Sequence, residues 1–254
     1  MKKKYQICIM GGDGIGPEVT AESIKLLVAI GIDFNFTNAE IGFGAYKKYG
    51  TPLPKKTVDI CKKSDAILFG AITTPSNIKG YSSPIVRLRK VLDLYANVRP
   101  FKSLPIPGQK QGIDFVIIRE NTEDLYVGRE RLTKEGAIAE RVITKKACEK
   151  IIKFAFDFVK KQNRKKITVV HKANILRITD GLFLEIAKKT ASSYSDIVME
   201  DILVDSCAMQ LVKKTEAFDV IVTTNMFGDI LSDEAAGLTG GLGVAASGNT
   251  GNNQ

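Results

Sequence analysis

Asp229 and Asp233 stand four residues apart in the run Thr223 to Glu234, Thr-Thr-Asn-Met-Phe-Gly-Asp-Ile-Leu-Ser-Asp-Glu. On a helix that spacing is about one turn, so both carboxylates face the same way. Side by side they repel by roughly a few tenths of a kcal/mol on an open helix surface. A hard divalent cation, Mg2+ or Mn2+, turns the repulsion into a site, because two carboxylates with waters and substrate oxygens complete an octahedral shell. A solvated acidic helix start, favoured by the positive end of the helix dipole, has the same spacing. The residues elsewhere in the chain must decide between the two.

Arginine supplies the complementary chemistry. Arg89, Arg99 and Arg119 each fall at the end or on the exposed face of an element, and Arg119 closes the apolar run Asp114 to Ile118. Three guanidinium forks can clamp the planar carboxylates of a small anion; taken singly, each reads as a surface salt bridge. The net charge of +9 attracts an anionic substrate. Nucleic acid is the weaker explanation of that charge, since the basic clusters at Lys2 to Lys4 and at Lys160, Lys161, Arg164, Lys165 and Lys166 carry no interleaved aromatics. His171 has no His or Cys partner nearby and reads as structural. Cys8, Cys61, Cys148 and Cys207 follow no metal-ligand or redox spacing, no signal peptide is expected, and no apolar run approaches the ~20 residues of a membrane span. A cytoplasmic, membrane-free protein is the expectation.

The elements that must position these groups alternate between strand and helix. Tyr5 to Met10 reads as a buried strand, followed by a glycine turn and a helix opened by Pro17 and running to about Ile30. Gly12, Gly14 and Gly16 are too closely spaced for the dinucleotide fingerprint G-x-G-x-x-G, although a glycine turn at a strand end still lets backbone approach a nucleotide. A strand near Asp33 to Asn38, helices at Phe43 to Tyr49 and Lys55 to Lys63, and a strand at Asp65 to Gly70 lead into the loop Ala71-Ile72-Thr73-Thr74-Pro75. Ser83 and Pro84 start a helix to about Leu92, with Ile85 and Val86 on the face of Arg89. Strands follow at Leu94 to Pro100 and Asp114 to Arg119, and a two-stranded hairpin between Tyr126 and Ile143 that can reach a second subunit. Then come a helix at Lys145 to Lys161, a strand at Lys166 to His171, a helix near Gly181 to Lys189, a strand ending in Val204 and Asp205, a helix through Lys213 and a strand at Phe218 to Thr224. The Gly- and Asn-rich end from Gly237 reads as loop. Alternation of this kind predicts an α/β layered fold.

Five stretches in order, Gly12-Asp-Gly-Ile-Gly-Pro-Glu18, Leu88-Arg89-Lys through Val98-Arg99-Pro100, Arg119-Glu-Asn-Thr-Glu-Asp-Leu-Tyr126, His171-Lys172-Ala-Asn174 and Asn225-Met-Phe-Gly-Asp229-Ile-Leu-Ser-Asp233, strongly resemble the decarboxylating β-hydroxyacid dehydrogenases. That family includes the isocitrate, 3-isopropylmalate, homoisocitrate and tartrate dehydrogenases, and the run Arg119 to Leu132 looks most like its archaeal homoisocitrate and isopropylmalate branch. The resemblance implies an isopropylmalate dehydrogenase-like two-domain fold. Residues 1–99 would form part of a large cofactor domain, left incomplete, and residues 100–254 the substrate, metal and dimerisation domain. It implies NAD as cofactor with Mg2+ or Mn2+. Arg89, Arg99 and Arg119 would hold a malate-type di- or tricarboxylate, with Thr73 and Asn174 beside it, and Asp205, Asp229 and Asp233 would surround the metal. Lys172 would take the hydroxyl proton and Tyr126 would protonate the enol carbon, while Ala71, Ile72, Thr73 and Asn174 would lie near the nicotinamide. In this family one aspartate and the lysine come from a second copy, so a homodimer or higher oligomer with shared sites is expected, Asp205 and Lys172 being the lent residues.

Two features depart from the family. Its members continue with a His-Gly-Ser-Ala-Pro-Asp-Ile-Ala-Gly type loop that holds the adenosine, and this sequence stops before it. Truncation is therefore expected to leave the chain weakly active or inactive and poorly stable, with exposed apolar surface and an unpaired sheet edge in the first domain; a non-catalytic partner is the competing expectation. Specificity also divides. Overall similarity points to homoisocitrate and the apolar Ile85 and Val86 to 3-isopropylmalate, which places homoisocitrate slightly ahead.

Overall fold

The structure is a computed structural model that describes residues 4–75, 77–78, 80–106 and 110–251. The chain divides into two compact units, one ending at Leu92 and the other spanning Asp93–Gly251. The boundary falls before the expected one at Arg99 because the strand carrying Arg99 hydrogen-bonds along its whole length to a strand of the second unit.

In the first unit β1 (Tyr5–Gly12) leads to α1 (Gly16–Ala29), β2 (Phe34–Asn38), α2 (Phe43–Tyr49), α3 (Lys55–Lys63), β3 (Ala66–Ala71) and α4 (Pro84–Val91). The strands form a parallel sheet in the order β2-β1-β3. Cys8, Met10, Ile41, Leu53, Cys61 and Leu88 make its buried core, and Leu26, Val28 and Ile30 of the α1 region stay exposed. Gly12 has φ +76°, and a Cβ there would strike the carbonyl oxygen of Ala71. The glycine turn is thus required by the close approach of two chain segments, before any ligand is considered. Ser83 occupies the N-cap position of α4, but its side chain makes no capping bond.

The second unit continues with β4 (Ala96–Lys102), β5 (Asp114–Glu120), β6 (Glu130–Leu132), β7 (Ala137–Ala139), α5 (Lys145–Lys161), β8 (Lys166–His171), α6 (Thr179–Ala191), β9 (Val198–Leu203), α7 (Val204–Lys213), β10 (Val220–Thr223), α8 (Asn225–Leu238) and β11 (Gly248–Thr250). Its main sheet has the order β11-β4-β5-β10-β8-β9, with β5, β10, β8 and β9 parallel and β4 and β11 antiparallel to their neighbours. Alternate residues of the apolar strands serve opposite faces. Val116, Ile118, Val220 and Val222 pack with α5 and α6, while Phe115, Ile117 and Ile221 pack with α7 and α8. Burial on both faces explains why these strands read as unbroken apolar runs.

Three local expectations change. Val204 and Asp205 open α7 instead of ending β9, the hairpin's strands are only three residues each, and the Gly-rich end contains β11, paired to β4. Thr144 caps α5 by accepting the Ala147 N–H at 3.2 Å.

Candidate active site

The parallel register that pairs Thr223 with Arg119 sets the first turn of α8 beside the end of β5. Gly228 makes this approach possible: a Cβ there would lie 2.5 Å from Cγ and 2.6 Å from Cβ of Arg119. The Arg119 side chain, 4 % exposed, donates from Nε to Asn225 Oδ1 at 2.9 Å and from Nη1 to Asp229 Oδ1. The other oxygen of Asp229 accepts the Tyr126 hydroxyl, and the Arg119 guanidinium lies over the Tyr126 ring, 5.1 Å from its centroid. Burial, then the bond to Asp229, pushes the Tyr126 phenol up to about 12. It is therefore protonated at neutral pH and able to donate.

One turn further along α8, Arg99 of β4 donates from Nη1 to Ser232 Oγ at 2.6 Å and to Asp233 Oδ1 at 3.1 Å. Its buried Nε has no hydrogen-bond partner among the described residues. An orphaned buried donor on a guanidinium is what a carboxylate ligand would satisfy. Asp229 and Asp233 remain 40 % and 56 % exposed, so a cation can reach them.

Lys172 follows β8 and pairs with Asp205 in the first turn of α7. The hydrogen bond from Lys172 holds the Asp205 carboxyl below the usual range. Asn174 is exposed on the turn after Lys172. Among the described residues no three acidic, His or Cys side chains gather into a metal-binding group, so one chain brings together Asp229 and Asp233 with Arg99, Arg119 and Tyr126, but not Asp205.

The remaining expected residues belong to the first unit. Ala71 ends β3, and its carbonyl accepts the Asp13 N–H at 2.7 Å. Ile72 packs on the core, and the exposed Thr73 donates its N–H to Asp13 at 3.0 Å. Asp13 also accepts from Phe43 and Gly44; although burial pushes it up, these three backbone bonds hold its carboxyl below the usual range. The glycine turn and the loop after β3 are one hydrogen-bonded unit. Arg89 lies in the last turn of α4, and Ile85 packs partly against the core, leaving less of it for a ligand than its place on the helix implied.

Sequence reasoning missed the buried polar groups behind the site. Asp124 and Asp180 are fully buried around Arg141, and Glu120 and Glu123 are nearly so. Burial pushes Glu123 up to about 7. His171 is buried; it accepts the Ala173 N–H on Nδ1 at 3.0 Å and faces Asp201 through Nε2 at 3.1 Å. The signal available was Asp124 and Arg141 flanking the hairpin, but nothing local says that charges so far apart in sequence share a site.

The chain is 55 % identical to a homoisocitrate dehydrogenase of Methanocaldococcus jannaschii, covering 98 % of this chain and 75 % of that one. It is 47 % identical to a 3-isopropylmalate dehydrogenase of Methanothermobacter thermautotrophicus, over 98 % and 74 % of the two chains. The crystal structure of isocitrate dehydrogenase from Methylococcus capsulatus superposes with a TM-score of 0.93 at 44 % identity, covering 98 % of this chain and 75 % of that one. No helix among the described residues is long and apolar enough to cross a membrane. With residues 6–254 matching the isocitrate/isopropylmalate dehydrogenases, the chain belongs to that family of decarboxylating dehydrogenases, typically dependent on NAD and a divalent metal.

Proposed function

We propose that this protein oxidatively decarboxylates a 3-substituted malate, with homoisocitrate its preferred substrate. The observation that carries this is the ridge on α8. Asp229 and Asp233, one turn apart and reachable by a cation, are each paired with an arginine, and Arg99 keeps a buried Nε without a partner among the described residues. Hard carboxylate oxygens fit Mg2+ or Mn2+. Asp229 and Asp233 would hold it, with Asp205 lent by a second copy together with Lys172. In the first unit Ala71, Ile72 and Thr73 would lie along the nicotinamide end of NAD; the loop after β3 leaves the carboxyl end of a parallel strand, a usual place for ligands in α/β sheets.

When bound, the cation would supply Lewis acidity toward the substrate's 2-oxygen and NAD would supply the hydride acceptor. The protein's own residues do the rest. Arg99 and Arg119 orient the carboxylates, so that the 3-carboxylate is held where its bond to carbon can break. Lys172 takes the proton of the 2-hydroxyl. After CO2 leaves, Tyr126, protonated at neutral pH, returns a proton to the 3-carbon.

Homoisocitrate is favoured because identity to the homoisocitrate relative exceeds that to the isopropylmalate relative, 55 % against 47 %. The test is NADH formation by the purified protein, with Mg2+, on homoisocitrate, isocitrate and 3-isopropylmalate. The largest kcat/KM is expected on homoisocitrate. A larger value on 3-isopropylmalate would reassign the substrate, and no turnover of any of the three together with no Mg2+-dependent binding of them would sink the reading.

A further inference from the structure

We infer that Arg141 is a positioning residue for the acid of its own site and for the base that its chain lends to a second copy, holding the backbone turn of Lys172 and the start of α8 in one fixed arrangement. The inference rests on the roles proposed above for Lys172 and Tyr126. Arg141 follows the hairpin, far in sequence from both, and its side chain is 12 % exposed.

Its guanidinium is shared between two fully buried carboxylates. Nε donates to Asp124 Oδ1 at 2.7 Å, and Nη1 donates to Asp180 Oδ1. Nη2 donates to Thr224 Oγ1, at the N-cap of α8, at 2.8 Å, and the group lies over the Phe227 ring, 4.8 Å from its centroid. Each carboxylate spends its remaining capacity on backbone next to a proposed catalytic group. Asp180 Oδ2 accepts the N–H of Lys172 itself at 2.6 Å. Asp124 accepts the Met226 N–H in the first turn of α8 at 3.0 Å and the Leu125 N–H, one residue before Tyr126, at 2.9 Å.

A guanidinium suits this place because its donors are fixed in one plane and can serve both acids and the threonine at once. Removing it leaves two buried carboxylates facing one another, which must separate or protonate, and either response moves the backbone each one holds. The same geometry explains why Asp124 tolerates φ +71°: its carboxylate is bonded on both sides. A residue that only filled space would not reach Lys172 and the Tyr126 turn together.

The test compares Arg141→Gln and the conservative Arg141→Lys with the unaltered protein. Hydrogen exchange is read at the Lys172 and Met226 amides, and steady-state kinetics on the best malate substrate. Arg141→Gln is expected to speed exchange at both amides by roughly tenfold or more, with the C-terminal half of α6 and β9 little changed. It should lower kcat by about 100-fold while KM moves little, the mark of misplaced reacting groups. Arg141→Lys keeps the charge but reaches one acid at a time, so one of the two amides should loosen and kcat should fall less. Should Arg141→Gln fail to fold, Arg141→Lys alone decides. Unchanged exchange at both amides in a folded variant, or loosening spread evenly over the second unit, overturns the inference. If the unaltered protein turns over no malate, the proposed function fails, while the exchange result still reports whether Arg141 holds both turns.

Discussion

Gly228 offers a perturbation that separates catalysis from folding. It sits inside α8 with helical backbone, its N–H bonded to the Thr224 carbonyl at 2.9 Å, so alanine meets no dihedral penalty there. By propensity alone Gly228→Ala would stabilise the helix by about 1 kcal/mol. The added methyl, however, would lie 2.5 Å from Cγ, 2.6 Å from Cβ and 3.1 Å from Cδ of Arg119. Ordinary carbon contacts begin near ~3.5 Å, so roughly 1 Å must be found. The Arg119 Cβ is fixed to β5, and no rotamer change removes that clash; α8 and β5 must move apart. Overpacking of this kind costs about 1–3 kcal/mol, which the helix gain partly offsets, leaving a net loss of roughly 0–2 kcal/mol. The effect on the site is larger, because the displacement separates Arg119 from Asp229 and Asp229 from Tyr126. A 1 Å misplacement of reacting groups costs about 100-fold in rate. The expected pattern is a small shift in the urea midpoint with NADH formation on the best malate substrate reduced about 100-fold. Gly228→Ala with undiminished kcat/KM would refute the claim that close β5–α8 packing sets the geometry of Arg119 and Asp229.

Two further outcomes follow from charges and from sharing. Burial raises the folded pKa of Glu123 to about 7, above its ordinary value of 4.5; the stability it contributes is whole below the unfolded value and is lost as pH rises from about 4.5 through 7. Glu123→Gln, whose amide oxygen can still accept the Thr144 N–H, should gain roughly 3 kcal/mol on the unaltered protein between acid and neutral-to-alkaline pH; parallel urea-unfolding curves across that range would contradict it. If Lys172 and Asp205 serve a second copy, Tyr126→Phe and Lys172→Met are each inactive alone. Unfolded together and refolded, they should recover roughly a quarter of the original activity, since about half the dimers are hybrids with one intact site each. No recovery, with hybrids demonstrated by mass, would place each site within one chain.

The order of elements was legible because each advertises itself locally. Apolar runs too short for helices marked β1, β5, β8 and β10, and the bounds expected for α2, α3 and α5 are those observed. Errors fell where local pattern and tertiary pairing disagree. Three residues from the Gly-rich end are held as β11 only because β4 offers an unpaired edge, and Val204 and Asp205 turn helical because α7 must fold back over the sheet to cover Phe115 and Ile221.

For the candidate site, the sequence by itself determined the inventory and the spacing: Asp229 and Asp233 one turn apart, arginines at the ends of elements, and motifs of one family. Only the tertiary structure decided the pairings, Arg119 with Asp229 and Tyr126, Arg99 with Asp233, Arg141 between Asp124 and Asp180. These contacts join β4, β5, the hairpin flank, α6 and α8, which the sheet order β4-β5-β10-β8 makes neighbours although the chain does not. A helix or strand is written in residues three or four apart, whereas a buried charge is stable only where distant partners converge to replace its water, and that convergence exists only once the sheet has formed.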